Sequence, residues 1–198
     1  MEKLNEYKGW FFDCDNTLAY TMKAHCEAYK YAFNHFNLEL SDEEFYTHAH
    51  AGGKNLIKHT ITDKGYDIDP QLIVNLKSEL IDSFLDKYMV ANDKLIDLIK
   101  SKKDNKVIVV SNGRRQSIET IVKKLGILDY IDALITAEDV ENAKPNPDAY
   151  LKALEISGLN TSECIVFEDN EVGFLAATAA GLKYNQVKYE GGEWKWRV

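Results

Sequence analysis

Apolar positions along the chain fall into two regimes. Trp10, Phe11 and Phe12 form an unbroken apolar run, which predicts a buried strand. Continued alternation past Phe12 would send Asp13 and Asp15 to one side and Cys14 to the other. From Met22 to Phe36 the pattern turns helical, with Met22, Cys26, Tyr29, Phe33 and Phe36 at three- and four-residue steps. Ser41 followed by Glu44 is a capping-box signature for a second helix, which Gly52-Gly53 breaks. Leu56 to Thr62 reads as helix again and stops near Gly65. Pro70 suits a first helical position, and Leu72, Ile73, Leu76, Leu80, Ile81, Phe84, Leu85 and Tyr88 make the longest amphipathic stretch. Residues 20–88 therefore read as about four helices with no strand, following directly on the first strand.

From Asn92 the elements alternate. Asp93 to Lys102 reads as a short helix, Val107–Val110 as a β-branched buried strand ending in Ser111-Asn112-Gly113, and Arg115 to Leu125 as a helix closed by Gly126. Ala133 to Thr136 is a short strand, and Asn146-Pro147 reads as cap and first position of a helix to Ile156. Cys164–Phe167 is a third buried strand ending in Glu168-Asp169, followed by a small-residue helix from Val172 to Ala180 that Gly181 closes. This alternation predicts an α/β fold, a parallel sheet with helices on both faces. No final strand of that sheet is recognisable after Gly181. Val187 and Tyr189, then Gly191-Gly192, then Trp194, Trp196 and Val198 signal a C-terminal hairpin, an edge cover or contact surface without chemistry. The predicted organisation is a core of residues 1–19 and 89–198, with residues 20–88 as an inserted helical domain.

Composition narrows the function. With 198 residues, 45% of them hydrophobic, the chain is globular rather than disordered. A formal net charge of -8 disfavours a nucleic-acid binder, which needs a basic face. Cys14, Cys26 and Cys164 are too few and too scattered for a disulfide framework and read as small buried hydrophobes. Met1 to Lys8 is polar, with no secretory signal, and no apolar run has the length of a membrane span. The expected setting is the reducing cytoplasm, without a membrane partner, as a monomer or weak homodimer.

Chemistry-bearing residues collect behind the buried strands. Asp13 and Asp15 follow the first, Ser111 the second, Glu168 and Asp169 the last, and Lys144 lies in the loop before the Asn146 helix. In open α/β sheets, ligands bind at that end of the strands. Clustered carboxylates repel unless a cation or shared proton relieves them. A hard-oxygen set with open positions suits Mg²⁺ together with a phosphate. The inventory is one for phosphoryl transfer.

These residues resemble the four motifs of the haloacid dehalogenase superfamily of phosphohydrolases. The first stands as Asp13-Cys14-Asp15-Asn16-Thr17-Leu18, the second as Ser111, and the third as Lys144-Pro145-Asn146-Pro147-Asp148-Ala149-Tyr150. The fourth is Val166-Phe167-Glu168-Asp169-Asn170-Glu171-Val172-Gly173, with Ala176, Ala177, Ala180 and Gly181 following. The resemblance implies a Rossmann-like core with a helical cap, as in the phosphoglycolate-phosphatase and β-phosphoglucomutase branches. It implies that Asp13 attacks phosphorus to form an aspartyl-phosphate, and that Asp15 protonates the leaving oxygen and then activates water. Mg²⁺ would be held by Asp13, the Asp15 carbonyl and Asp169, with Glu168 either a direct ligand or an outer partner. Ser111 and adjacent backbone N–H groups, that of Asn112 among them, would hold phosphate oxygens, and Lys144 would pair with Asp13 and the phosphate. Asn16 replaces the commoner Gly, and Tyr20-Thr21 stands where many members have an Asp-Ser pair.

Other residues carry weaker signals. Asn112 also suits a helix cap, and Arg114 and Arg115 suit either a substrate anion or a solvated helix start. His48 and His50 do not share a helical face, and His48, His50 and His59 read as structural rather than metal-binding. Lys54, behind the paired glycines, is a candidate specificity residue. The leading function is an Mg²⁺-dependent phosphatase acting on a small phosphorylated metabolite, with a sugar-phosphate mutase as the alternative enzyme. A non-enzymatic phosphate- or metal-binding regulatory module, such as a receiver domain, would need no 70-residue insert. A dehalogenase would not need the acid/base that Asp15 supplies.

Overall fold

The computed structural model describes residues 4, 6–49 and 56–196. Met1 to Lys3, Asn5, His50 to Asn55 and Arg197–Val198 lie outside the described residues, and with them the expectations placed on His50, Gly52-Gly53, Lys54 and Val198. The chain forms two compact units, Met1–Tyr20 with Val90–Val198, and Thr21–Met89. Each crossing between them falls one residue later than at 20 and 89. The reason is a two-stranded antiparallel pair at the crossing, β2 (Ala19–Tyr20) and β3 (Val90–Ala91), in which Tyr20 pairs with Val90.

In the larger unit, β1 (Gly9–Phe12), β4 (Lys106–Val110), β5 (Ala133–Ile135), β6 (Cys164–Glu168), β7 (Lys183–Glu190) and β8 (Glu193–Trp196) form a six-stranded sheet. Its order is β5-β4-β1-β6-β7-β8, parallel except for β8. Between strands lie α4 (Asp93–Lys100), α5 (Arg115–Lys124), α6 (Asp148–Ser157) and α7 (Glu171–Ala179). β1 is central and buried at every residue, as its apolar run demands. Phe11, Ile108, Val110 and Val166 pack on one face with Ala149, Tyr150 and Ala153 of α6 and Ala176 and Ala177 of α7. Phe12, which alternation sends to the other face, stacks on Phe167 at a ring separation of 4.7 Å, and Trp196 meets Phe167 edge-on. Phe167→Ala is expected to destabilise the fold by about 3–5 kcal/mol, measurable by chemical denaturation.

The sheet does have a last parallel strand. Residues Lys183 to Gln186 of β7 pair parallel with Ile165 to Glu168, and Val187 to Glu190 pair antiparallel with β8 across the Gly191-Gly192 turn. One strand thus serves both as the final sheet strand and as the first arm of the expected hairpin. Its exposed, polar alternation, with Val187 its one buried residue, hides it from a search for apolar runs. The α6 start also differs from expectation. Pro147 occupies the cap position, and the Asn146 amide turns back to donate to the Ala143 carbonyl at 3.2 Å.

The smaller unit holds α1 (Met22–His35), α2 (Asp42–Ala49), a π-helical turn (Lys58–Thr62) and α3 (Pro70–Tyr88). Cys26, Tyr29, Phe33, Phe45, Leu56, Ile61 and Ile73 are among the residues of its own core. Asp69 caps α3 ahead of Pro70, accepting from the Gln71 N–H at 2.9 Å. The Ser41/Glu44 capping box is formed: Glu44 N–H donates to Ser41 Oγ at 3.2 Å, and Ser41 N–H donates to Glu44 Oε2 at 3.0 Å. Ser41→Ala should cost about 1 kcal/mol of stability by denaturant titration. Among the described residues no helix is long and apolar enough to cross a membrane.

Candidate active site

β1 ends at Phe12, and the next residue is held at the C-terminal end of this central strand: Asp13 N–H donates to the Phe167 carbonyl at 2.9 Å. The chain then turns sharply. Leu18 N–H donates to the Cys14 carbonyl at 2.9 Å and Asn16 N–H to the Ala19 carbonyl at 2.7 Å. Asn16 adopts φ 60°, a left-handed conformation that asparagine accepts more readily than most residues, so the commoner glycine is not required. Buried Asn92 braces the turn from behind, donating from its amide to the Thr17 carbonyl at 3.0 Å.

Lys144 is the centre of the cluster. Its ammonium donates to Asp13 Oδ1 at 2.9 Å, the Val110 carbonyl at 2.8 Å and Glu168 Oε1 at 2.6 Å. Its backbone is clamped by the Asn112 side chain, which accepts from Lys144 N–H and donates to the Lys144 carbonyl, both at 2.9 Å. That is the observed role of the Asn112 amide; the cap position of α5 belongs to Arg114. Ser111 is buried at the end of β4, and its Oγ accepts from Gly113 N–H at 3.0 Å.

Glu168 ends β6 and is 1% exposed. Its Oε1 takes a second hydrogen bond from the Tyr150 hydroxyl at 2.8 Å, and its Oε2 accepts from Asp169 N–H at 3.2 Å. The carboxylate lies against the first turn of α7, where a Cβ on Gly173 would stand 1.9 Å from Glu168 Cδ. Gly173→Ala should therefore displace Glu168 and break the Lys144 pair. The expected outcome is loss of turnover with a lowered unfolding midpoint, read by assay and thermal melt.

Asp13, Glu168 and Asp169 bring carboxylate oxygens within 4.8 Å of one another. Three carboxylates face one ammonium, and the electrostatics record the imbalance. Burial first, and then the charge of Glu168, push the Asp13 carboxyl well above its usual range despite Lys144. The same two causes push Asp169 up to about 7. Burial disfavours a charged Lys144, but Asp13 and Glu168 outweigh it and hold its ammonium well above the ordinary value. A largely buried group of hard oxygen donors with excess negative charge, its Asp169 half-buried, fits a divalent cation such as Mg²⁺.

The structure thus brings Asp13, Glu168, Asp169 and Lys144 together and places Asn112 against Lys144. Asp15, partly buried in the turn after β1, keeps its carboxylate outside the three-acid group. Arg115 is tied to Asp139 at 2.5 Å and to the Leu134 carbonyl at 3.3 Å, the contacts of a structural residue. His48 and His59 stack with ring centroids 3.6 Å apart, and neither joins the acidic group. Tyr150 was not legible as a site residue, because a tyrosine on the apolar face of a helix reads as core.

Known proteins are similar to this chain in sequence and in fold. The profile of the family described as haloacid dehalogenase-like hydrolase aligns with residues 10–187. Fructose-1-phosphate phosphatase YqaB of Escherichia coli is 29% identical, covering 92% of this chain and 97% of its own. Validoxylamine A 7'-phosphate phosphatase of Streptomyces hygroscopicus is 30% identical, covering 89% of this chain and 83% of its own. Among solved structures, CbbY from Rhodobacter sphaeroides in complex with phosphate shares the fold with a TM-score of 0.80 at 23% identity, over 90% of this chain and 84% of that one. The profile spans the β1 turn, Lys144 and the Glu168-Asp169 pair, and the chain belongs to the haloacid dehalogenase-like hydrolase family, as one of its phosphatases.

Proposed function

We propose that the chain is an Mg²⁺-dependent phosphatase that hydrolyses small phosphorylated metabolites, phosphorylated sugars first among them, through an aspartyl-phosphate on Asp13. The observation that carries this reading is the pairing of Asp13 with buried Lys144 inside an acidic group that lacks enough positive charge. A carboxylate that attacks a phosphate dianion must be both oriented and screened. Lys144 does both for Asp13. Asp13, Asp169 and the Asp15 carbonyl would hold Mg²⁺, with Glu168 an outer partner because its oxygens serve Lys144, Tyr150 and Asp169 N–H. The ion, when bound, supplies charge neutralisation at the phosphoryl oxygens.

Ser111 Oγ and the N–H groups after it bind phosphate oxygens at the end of β4. Asp15, outside the acidic group, donates a proton to the leaving oxygen and later removes one from water. Residues 21–89 serve as the cap that selects the substrate. The proposed setting is the cytoplasm. Sugar phosphates are favoured because fructose-1-phosphate phosphatase and validoxylamine A 7'-phosphate phosphatase are relatives.

The test is a panel of phosphorylated metabolites assayed for released phosphate with Mg²⁺, with excess EDTA, and with Ca²⁺. Hydrolysis is expected with Mg²⁺ alone: the larger, loosely arranged Ca²⁺ shell does not hold in-line geometry. Undiminished turnover in EDTA would overturn the metal assignment, and no release from any member of the panel would overturn the activity.

A further inference from the structure

An ammonium carries three protons, and three acceptors already take those of Lys144: Asp13 Oδ1, the Val110 carbonyl and Glu168 Oε1. None is left for a phosphate oxygen. On the phosphatase reading, on which this inference rests, a phosphoryl group attacked by Asp13 comes beside the Lys144 ammonium, and for Lys144 to meet it one of the three bonds must open. The Asp13 bond orients the nucleophile, and the Val110 carbonyl is part of the sheet backbone. Glu168 Oε1 differs from both in a useful way, since it already holds a second side-chain donor, the Tyr150 hydroxyl at 2.8 Å. When the lysine proton turns away, that oxygen keeps a partner.

We propose that Tyr150 is a positioning residue: its hydroxyl satisfies Glu168 Oε1 when Lys144 releases it, and so frees one ammonium proton for the phosphoryl group. Among the described residues no other donor reaches that oxygen. It is 1% exposed, its other oxygen is engaged by Asp169 N–H, and the first turn of α7 lies against it at Gly173. Without the hydroxyl, binding phosphate would strand a buried carboxylate oxygen, a penalty that corresponds to about tenfold or more in affinity. The phenyl ring has a separate task. It lies 5.0 Å from the Lys144 ammonium and stays in place in Tyr150→Phe, so that variant isolates the hydroxyl.

The experiment is calorimetric titration of the full chain, wild type and Tyr150→Phe, first with Mg²⁺ and then with inorganic phosphate in saturating Mg²⁺. The expected result is unchanged Mg²⁺ affinity and about tenfold weaker phosphate binding in Tyr150→Phe. In a Lys144→Ala background the same substitution should have no further effect on phosphate, because no lysine bond remains to be released. Equal phosphate affinity in wild type and Tyr150→Phe would overturn the inference. So would parallel loss of Mg²⁺ and phosphate affinity, which is the mark of a structural role. A second measurement needs no variant: in a crystal of the wild-type enzyme with Mg²⁺ and phosphate, Lys144 should have left Glu168 while Tyr150 remains bonded to it. A retained Lys144–Glu168 bond there would equally refute it. Wild-type protein that neither binds phosphate nor hydrolyses esters would overturn the phosphatase reading, and the inference with it.

Discussion

Asp13→Asn is expected to abolish hydrolysis of every phosphate ester the enzyme accepts, whatever its leaving group. The proposed first step is attack by the Asp13 carboxylate, and an amide has no anionic oxygen to offer phosphorus. Removing the nucleophile of a covalent mechanism lowers turnover by about 10⁶-fold. The substitution is nearly isosteric, so the fold should survive it. Asp13 is crowded by Glu168 and Asp169, and its charge is disfavoured by burial, so losing that charge should leave the unfolding midpoint unchanged or raised. Loss of activity together with retained stability is the discriminating result. Turnover within about tenfold of wild type would take the nucleophile's role away from Asp13.

Asp15→Asn should behave differently, and the difference separates the two steps. General acid–base catalysis contributes about 10²–10⁴-fold, so turnover of an alkyl phosphate should fall by that factor. An aryl phosphate leaves with little protonation, and its first step should be nearly spared. The second step still lacks its base, so phosphoryl-Asp13 should accumulate and be trapped by acid quench and mass spectrometry. Wild-type turnover of alkyl phosphates by Asp15→Asn would remove the acid/base assignment. The same trapped species tests the mutase alternative, since a mutase would pass the phosphoryl group to a sugar hydroxyl faster than to water.

Much of this site was legible because its residues stand directly behind apolar strands. Trp10–Phe12, Val107–Val110 and Cys164–Phe167 are buried in the sheet, and a polar residue just past such a run must lie at the strand's end. That logic places Asp13, Ser111, Glu168 and Asp169 at the ends of their strands. Lys144 was located by the motif around it, since a lysine in a loop carries no burial signal of its own. Local backbone chemistry was legible for the same reason of short range. The Ser41/Glu44 box and the Pro70 helix start depend on neighbours within four residues. The exception, Asn146, failed locally because the Ala143 carbonyl competed for its amide.

By itself, then, the sequence determined the α/β alternation, the order of the motif residues and the acidic character of the site, since all three follow from periodicity and residue identity. Tertiary structure alone decided who bonds to whom inside the acidic group. Lys144 and Asp13 are 131 residues apart, and Asn112 and Lys144 are 32 apart; no periodicity links such pairs. The parallel registers of β1 with β4 and β6, and of β4 with β5, line up the strand ends that these residues follow. The last strand is the same case. Lys183–Glu190 has too little buried surface to announce itself, and it is a strand because β6 offers it a ladder on one side and β8 on the other. Tyr150 became a site residue for a physical reason that sequence does not carry: burying Glu168 requires a donor for each oxygen, and the packing of α6 on the sheet supplies that hydroxyl.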